Sequence, residues 1–176
     1  MKKLLVLPGN SLRNKEWGEG CALAYVDLFD EVVMQYYDHW DNEENFISLD
    51  KELEKIKRTI GNSEDDTWHV FAKSIGSLVT LKAVHDGIVT PKQTVFFGMP
   101  LDFAEEFYAG DWDPLSDYKV RTLAFHNDSD PTANYEFTKD KLEILAPSIE
   151  LFTLRGDNHD YLDFSDYKEK IKEFLS

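Results

Sequence analysis

Short apolar runs alternate along this chain with segments whose apolar residues recur every three or four positions, and that alternation predicts strands separated by helices. The runs are Lys3 to Leu7, Glu31 to Tyr36, Trp68 to Ala72, Gln93 to Phe97, Val120 to His126 and Ile149 to Leu154. They are rich in residues that suit a pleated surface. Several are apolar at consecutive positions, as strands covered by helices on both faces are, so the sheet is expected to be parallel. Between the runs, Leu49, Leu53, Ile56 and Ile60 form one helical stripe closed by Gly61, which suits the left-handed position past a helix end. Ile75, Leu78, Val79 and Leu81 to Val84 continue from the third strand and stop at Gly87, and Phe164, Tyr167, Ile171 and Phe174 mark a final amphipathic helix. A first helix over Lys15 to Phe29 is weakened by Gly18 and Gly20. The connection 99–119 is long for such a loop and carries Phe103, Phe107, Tyr108 and Trp112. It reads either as a small lid over a site or as an ordinary helix packed on the sheet.

Composition narrows this picture. With 176 residues, 42% of them hydrophobic, the chain has enough for one sizeable core and too little for two, which predicts a single α/β domain over 1–176. A formal charge of −15 makes a nucleic-acid backbone or an anionic membrane surface an unfavourable partner. The apolar runs are far shorter than the roughly 18 residues that span a bilayer, and the start MKKLLVLPGN is too briefly apolar for a secretory signal, so a cytoplasmic location is expected. The one cysteine, Cys21, shares helical spacing with Trp17, Tyr25 and Leu28 and reads as a small core residue; no pairing suggests a disulfide or a metal site.

In a parallel sheet joined by right-handed crossovers the strand carboxyl ends lie along one edge, and ligands bind there. Three such positions carry a hydroxyl, a carboxylate and an imidazole in chain order: Ser74 after the third strand, Asp130 after the fifth and His159 after the sixth. Around Ser74 the chain runs from an apolar strand through S-x-G straight into a helix, the arrangement of a nucleophile elbow, and Ala72 and Gly76 are the small residues its crowding requires. S-x-G alone is expected roughly once by chance in a chain this long, and the competing reading is a helix N-cap serine. A serine hydroxyl needs a base. His39, His69 and His85 look structural and His126 stands too close to the acidic turn, which leaves His159; its alternative is an exposed turn histidine. For the orienting acid, the turn His126-Asn127-Asp128-Ser129-Asp130-Pro131 offers Asp130, with Asp128 in reserve. Pro131 suits a first helical position, which would make Asp130 an N-cap with a defined orientation, or merely a cap. Two amides complete the set as an oxyanion hole: that of Ile75, and that of Asn10 in the Pro8-Gly9-Asn10 turn after the first strand.

The segments P-G-N, A-K-S-I-G-S, H-N-D-S-D-P and G-D-N-H-D-Y, each after a strand, together resemble the α/β-hydrolase fold over nearly the whole chain. The short length, the opening on the oxyanion strand and Trp17 and Trp40 look most like small serine hydrolases of the retinoblastoma-binding-protein type. The resemblance implies a three-layer sandwich around a six-stranded parallel sheet in the order 2-1-3-4-5-6. It also implies Ser74 as nucleophile, His159 as base, Asp130 as acid and the amides of Asn10 and Ile75 as oxyanion hole. Ala72 stands where the usual elbow has glycine, and Lys73, where the family often has histidine, reads as an exposed lysine.

The expected activity is hydrolysis of carboxylic esters, thioesters or activated amides through an acyl-serine, with a small-molecule substrate and no metal or organic cofactor. A non-catalytic binding module on the same fold is the alternative. A hydride-transfer enzyme is disfavoured because no G-x-G-x-x-G follows the first strand. Glu105, Glu106, Asp111 and Asp113 in the 99–119 segment point to neutral or cationic, partly apolar substrates.

Overall fold

The apolar runs become the strands of one sheet. In the computed structural model, which describes residues 1–42, 46–61, 65–110, 113 and 115–176, the chain proceeds through β1 (Lys2–Leu7), α1 (Asn14–Tyr25), β2 (Glu31–Met34), α2 (Leu49–Ile60), β3 (Thr67–Lys73) and α3 (Ile75–His85). It continues through β4 (Gln93–Phe97), α4 (Ala104–Tyr108), β5 (Thr122–Asn127), α5 (Tyr135–Leu145), β6 (Ile149–Leu154) and α6 (Phe164–Leu175). Every neighbouring pair of strands is parallel, in the order β2-β1-β3-β4-β5-β6. The chain leaves β1 on one side to form β2 and returns on the other to form β3. The switch point therefore falls between β1 and β3, where Leu7 pairs with Ala72.

Strand parity sorts the core into two layers. Leu4, Val6, Phe71, Val95, Phe97, Leu123 and Phe125 pack with Trp17, Cys21 and Tyr25 of α1 and Tyr167, Ile171 and Phe174 of α6. Leu5, Leu7, Val70, Ala72, Phe96 and Ala124 point the other way, toward Ile56 of α2, Leu78 and Val79 of α3 and Leu142 of α5. Fully burying one such side chain contributes about 1.5–3 kcal/mol, so the apolar strands hold both helical layers in place. The buried Cys21 takes the core role its spacing predicts.

Boundaries differ from the sequence reading where the sheet loses a neighbour. β2 stops at Met34, two residues early; the Gln35 amide still donates to the Val6 carbonyl (3.0 Å), and the chain then turns away. Within 99–119, a short turn over Leu101–Phe103 leads into α4. Leu101, Ala104, Leu115 and Tyr118 are buried in the core, and the Tyr108 hydroxyl donates to the Leu78 carbonyl at 2.7 Å. Asp111 and Trp112 lie outside the described residues. Among the described residues no helix is long and apolar enough to cross a membrane, and no group of three or more His, Cys, Asp or Glu side chains could hold a metal ion.

Candidate active site

Ser74 occupies the single residue between β3 and α3, at φ 52° and ψ −127°. A left-handed conformation at a non-glycine residue costs about 1–3 kcal/mol and persists only where its surroundings enforce it. Here the Ser74 amide donates to the Phe97 carbonyl (2.9 Å), while its own carbonyl accepts from the Ser77 amide (2.9 Å) and hydroxyl (2.6 Å). The Ser74 side chain makes no capping bond to α3, so it is not serving as an N-cap. Gly76 follows from close approach: a Cβ there would stand 2.2 Å from the Leu7 carbonyl oxygen and 2.5 Å from that of Pro8. The first turn of α3 is thereby pressed against the loop after β1, and the Ile75 amide, in the first helical position, has no partner within the helix.

That loop is clasped from β2's side. The Tyr37 hydroxyl donates to the Pro8 carbonyl (2.8 Å), and the Asn10 carbonyl accepts from Trp40 Nε1 (2.8 Å) and His39 Nε2 (2.6 Å). A carbonyl only accepts, so His39 carries its proton on Nε2. Asn10 Oδ1 in turn accepts from the Ile47 amide at 2.9 Å. Asn10 and Ile75 line the same cavity as Ser74.

At the ends of β5 and β6 the structure joins two of the expected residues. His159 Nδ1 lies 2.7 Å from Asp130 Oδ2 and 3.0 Å from Oδ1. Asp130 is not the N-cap of α5, which starts five residues later at Tyr135 behind Asn134; its Oδ1 instead accepts from the amides of Thr132 (2.8 Å) and Ala133 (3.0 Å). The carboxylate closes its own local turn, and the helix that Pro131 predicts is displaced downstream. Tyr161, which the sequence reading did not single out, donates to Asp130 Oδ2 (2.7 Å) and accepts from the Asn127 amide (3.0 Å). Burial pushes the Asp130 carboxyl up, but the bonds from His159, Tyr161 and the Thr132 amide outweigh it and hold the group at about 2. Asp128, the reserve acid, accepts from the Gly156 amide (3.3 Å) and the Ser129 hydroxyl (3.3 Å) and has no bond to His159.

Gly98, just after β4, makes room for this pair. Its φ is 57°, and a Cβ would stand 2.6 Å from Tyr161 Cε2 and 2.8 Å from His159 Cε1. Gly98→Ala is expected to destabilise the protein by about 1–2 kcal/mol from the left-handed backbone alone, and to push His159 off Asp130. Thermal unfolding and the proton resonance of His159 Nδ1 check this; an unchanged midpoint with an unchanged resonance would count against it.

No protein-family model matches the sequence, and no curated protein matches it. Among solved structures, an uncharacterised protein from Bacillus cereus aligns at TM-score 0.74 and 18% identity over 99% of this chain, which spans only 58% of that one. A serine hydrolase without a lid from Xanthomonas campestris aligns at TM-score 0.63 and 19% identity, over 99% of this chain and 80% of that one. An esterase from Pyrococcus furiosus gives 0.74 and 15% over the same two shares. The fold is that of the α/β-hydrolases.

In this α/β-hydrolase fold, a cavity of about 580 Å³ opens at the switch point and is lined by Ser74, Ile75, Asn10 and His159, with Trp17, Phe46, Pro100 and Phe103 as its apolar walls. His159 Nε2 is buried and has no hydrogen-bond partner among the described residues, the orientation that follows once Nδ1 is taken by Asp130. His126 does not line the cavity; its Nε2 donates to the Ala133 carbonyl at 3.0 Å. Lys73 corrects the sequence reading. Only 4% exposed, it lies on the α1 side of β3 and donates to Asn14 Oδ1 at 2.6 Å. Parity was the available signal, since Lys73 falls on the same face as the buried Phe71. The acidic residues expected near the site, Glu105, Glu106 and Asp113 among those described, do not line the cavity; Asp102 and Asp160, not expected there, do, together with Arg13 and Lys73.

Proposed function

We propose that this chain is a serine hydrolase that cleaves carboxylic esters, thioesters or activated amides through an acyl-Ser74 intermediate. The observation that carries the reading is the Asp130–His159 hydrogen bond, which leaves His159 Nε2 without a protein partner in a cavity lined by Ser74. In the first step Ser74 Oγ bonds to the substrate carbonyl carbon while its proton passes to His159 Nε2. Negative charge gathers on the carbonyl oxygen, facing the amides of Asn10 and Ile75 and the amino-terminal end of α3. Collapse expels the alcohol, thiol or amine, which takes the proton from His159. Water then repeats the sequence in reverse roles, its proton going to Nε2 and its oxygen to the acyl carbon, and Ser74 is regenerated. The Asp130 carboxylate keeps the Nδ1 proton in place throughout and offsets the imidazolium charge. The reaction as written uses no metal or organic cofactor.

Names carried by the similar solved proteins, a serine hydrolase and an esterase, support the same reading. Within the fold we place the chain beside the small serine hydrolases of the retinoblastoma-binding-protein type, and we assign Pro100, Asp102 and Phe103, which border the cavity, to the substrate entrance as the inner edge of the 99–119 segment. Incubation with a fluorophosphonate probe followed by peptide mapping is expected to place the label on Ser74 and to lose it in Ser74→Ala. Absence of label on the intact protein, or equal labelling of the variant, would leave a non-catalytic binding module as the surviving reading.

A further inference from the structure

Lys73 is a buried charge, next to Ser74 in the chain, that the hydrolytic mechanism does not use. Its ammonium has three donors, and among the described residues its one hydrogen bond is to Asn14 Oδ1, at 2.6 Å. Asn14 is fixed to present that oxygen: its Nδ2 donates to the Ser11 hydroxyl (3.0 Å) and carbonyl (3.3 Å), and its side chain fills the space beside Gly9 where a Cβ would stand. Lys73 and Asn14 both line the cavity that Ser74 and His159 line. A buried ammonium held by one neutral acceptor is a poor structural device, because desolvation is only partly offset.

We propose that Lys73 selects the substrate: its ammonium binds a carboxylate at the far end of the acyl group, so that the preferred substrates are half-esters of short dicarboxylic acids. The inference rests on the hydrolase reading of the same site. Lys73 and Ser74 are consecutive in the chain and both line the cavity, so an acyl group on Ser74 shares that space with Lys73. Arg13 lines the same cavity and adds to the positive side. The two acids there, Asp102 and Asp160, are exposed, and Asp160 attracts the Lys73 ammonium. The buried ammonium is screened by salt far less than exposed charges are. An anionic acyl group reverses the preference for neutral or cationic substrates expected from Glu105, Glu106 and Asp113 of the 99–119 segment, which lie outside the cavity, although Asp102 of that segment lines it.

The charge on Lys73 is also tunable. Burial pulls its ammonium down to about 8, against the attraction of Asp160 and Asp130. The groups around the cavity are Arg13 and Asn14 from the start of α1, Asp102 after β4, Asp130 after β5, and His159 and Asp160 after β6. Because the pKa is lowered, Lys73 is cationic below about 8 and loses its charge as the pH rises through that value.

The test compares monoethyl glutarate with ethyl pentanoate, which has the same acyl length and a methyl group in place of the carboxylate. Ethanol release by the intact protein at pH 7 is expected to give a kcat/KM ratio of about tenfold or more in favour of the half-ester. The ratio falls toward one in Lys73→Met, stays above one in Lys73→Arg, and declines from pH 7 to 9.5 in the intact protein while remaining flat in Lys73→Met. The ratio cancels any pH dependence of the hydrolytic steps that both esters share. A ratio at or below one in the intact protein, or an unchanged ratio in Lys73→Met, overturns the proposal. If neither ester turns over, the hydrolase reading fails, and charge selection is then judged by NMR titration of monoethyl glutarate into Ser74→Ala. Binding weakened about tenfold in Ser74→Ala/Lys73→Met supports it; equal or absent binding overturns it.

Discussion

Replacing His159 by alanine is expected to lower kcat for 4-nitrophenyl butyrate about 10⁶-fold while the protein remains folded. The size of the loss follows from the absence of a substitute imidazole. His126 Nε2 is committed to the Ala133 carbonyl and His39 Nε2 to that of Asn10. His69 is buried within β3. His85 ends α3, away from the cavity. What survives is the stabilisation by the Asn10 and Ile75 amides and substrate binding, together about 10³–10⁴ over the reaction in water. Steady-state rates with far-UV circular dichroism on the same samples check this, and added imidazole, which fits the space vacated, should restore part of the rate. A loss below about a hundredfold would mean that another group takes the serine proton.

Much of this arrangement is legible along the chain because parallel strands covered on both faces leave an unusually plain signal. β1, β3, β4 and β6 fall within a residue or two of their apolar runs, and their order along the sheet follows the fold that the four strand-end motifs resemble. Ser74 is readable because a strand that runs into a helix through one residue has few ways to turn. The failures share a cause: each residue spends a polar group on a partner that local patterning does not reveal. Asp130 was expected to cap a helix starting at Pro131, but its Oδ1 is taken by the amides of Thr132 and Ala133 and the helix starts at Tyr135. Tyr161 escaped notice because its role depends on a φ of 52° and on Asn127, 34 residues away. Residue type points Lys73 outward, since lysines are rarely buried, whereas its place in the strand alternation points it inward. The cavity's charge was misplaced with it.

Asp130→Asn is expected to lower kcat about 10⁴-fold without disturbing the fold, and the structure dictates how. Oδ1 faces two backbone N–H donors, from Thr132 and Ala133, so in the variant the amide oxygen must take that side and the NH₂ must face His159 and Tyr161. An NH₂ group beside Nδ1 can only donate, which drives the His159 proton onto Nε2 and leaves no lone pair for the Ser74 hydroxyl. Tyr161 loses its acceptor at the same time, although its hydroxyl can still accept from the Asn127 amide. Nitrogen NMR of His159 should therefore report Nδ1 protonated in the intact protein and Nε2 protonated in the variant. The pH dependence of stability gives a second reading with a fixed sign. Because the Asp130 pKa is lowered to about 2, its ionised form stabilises the fold fully above the unfolded value of about 3.9 and ceases to do so as the pH falls toward 2. The stability difference between the intact protein and Asp130→Asn should thus be constant near neutrality and narrow below about pH 4. A rate within tenfold of the intact protein, with Nδ1 still protonated, would remove Asp130 from the proposed mechanism and leave it as the anchor of its own turn.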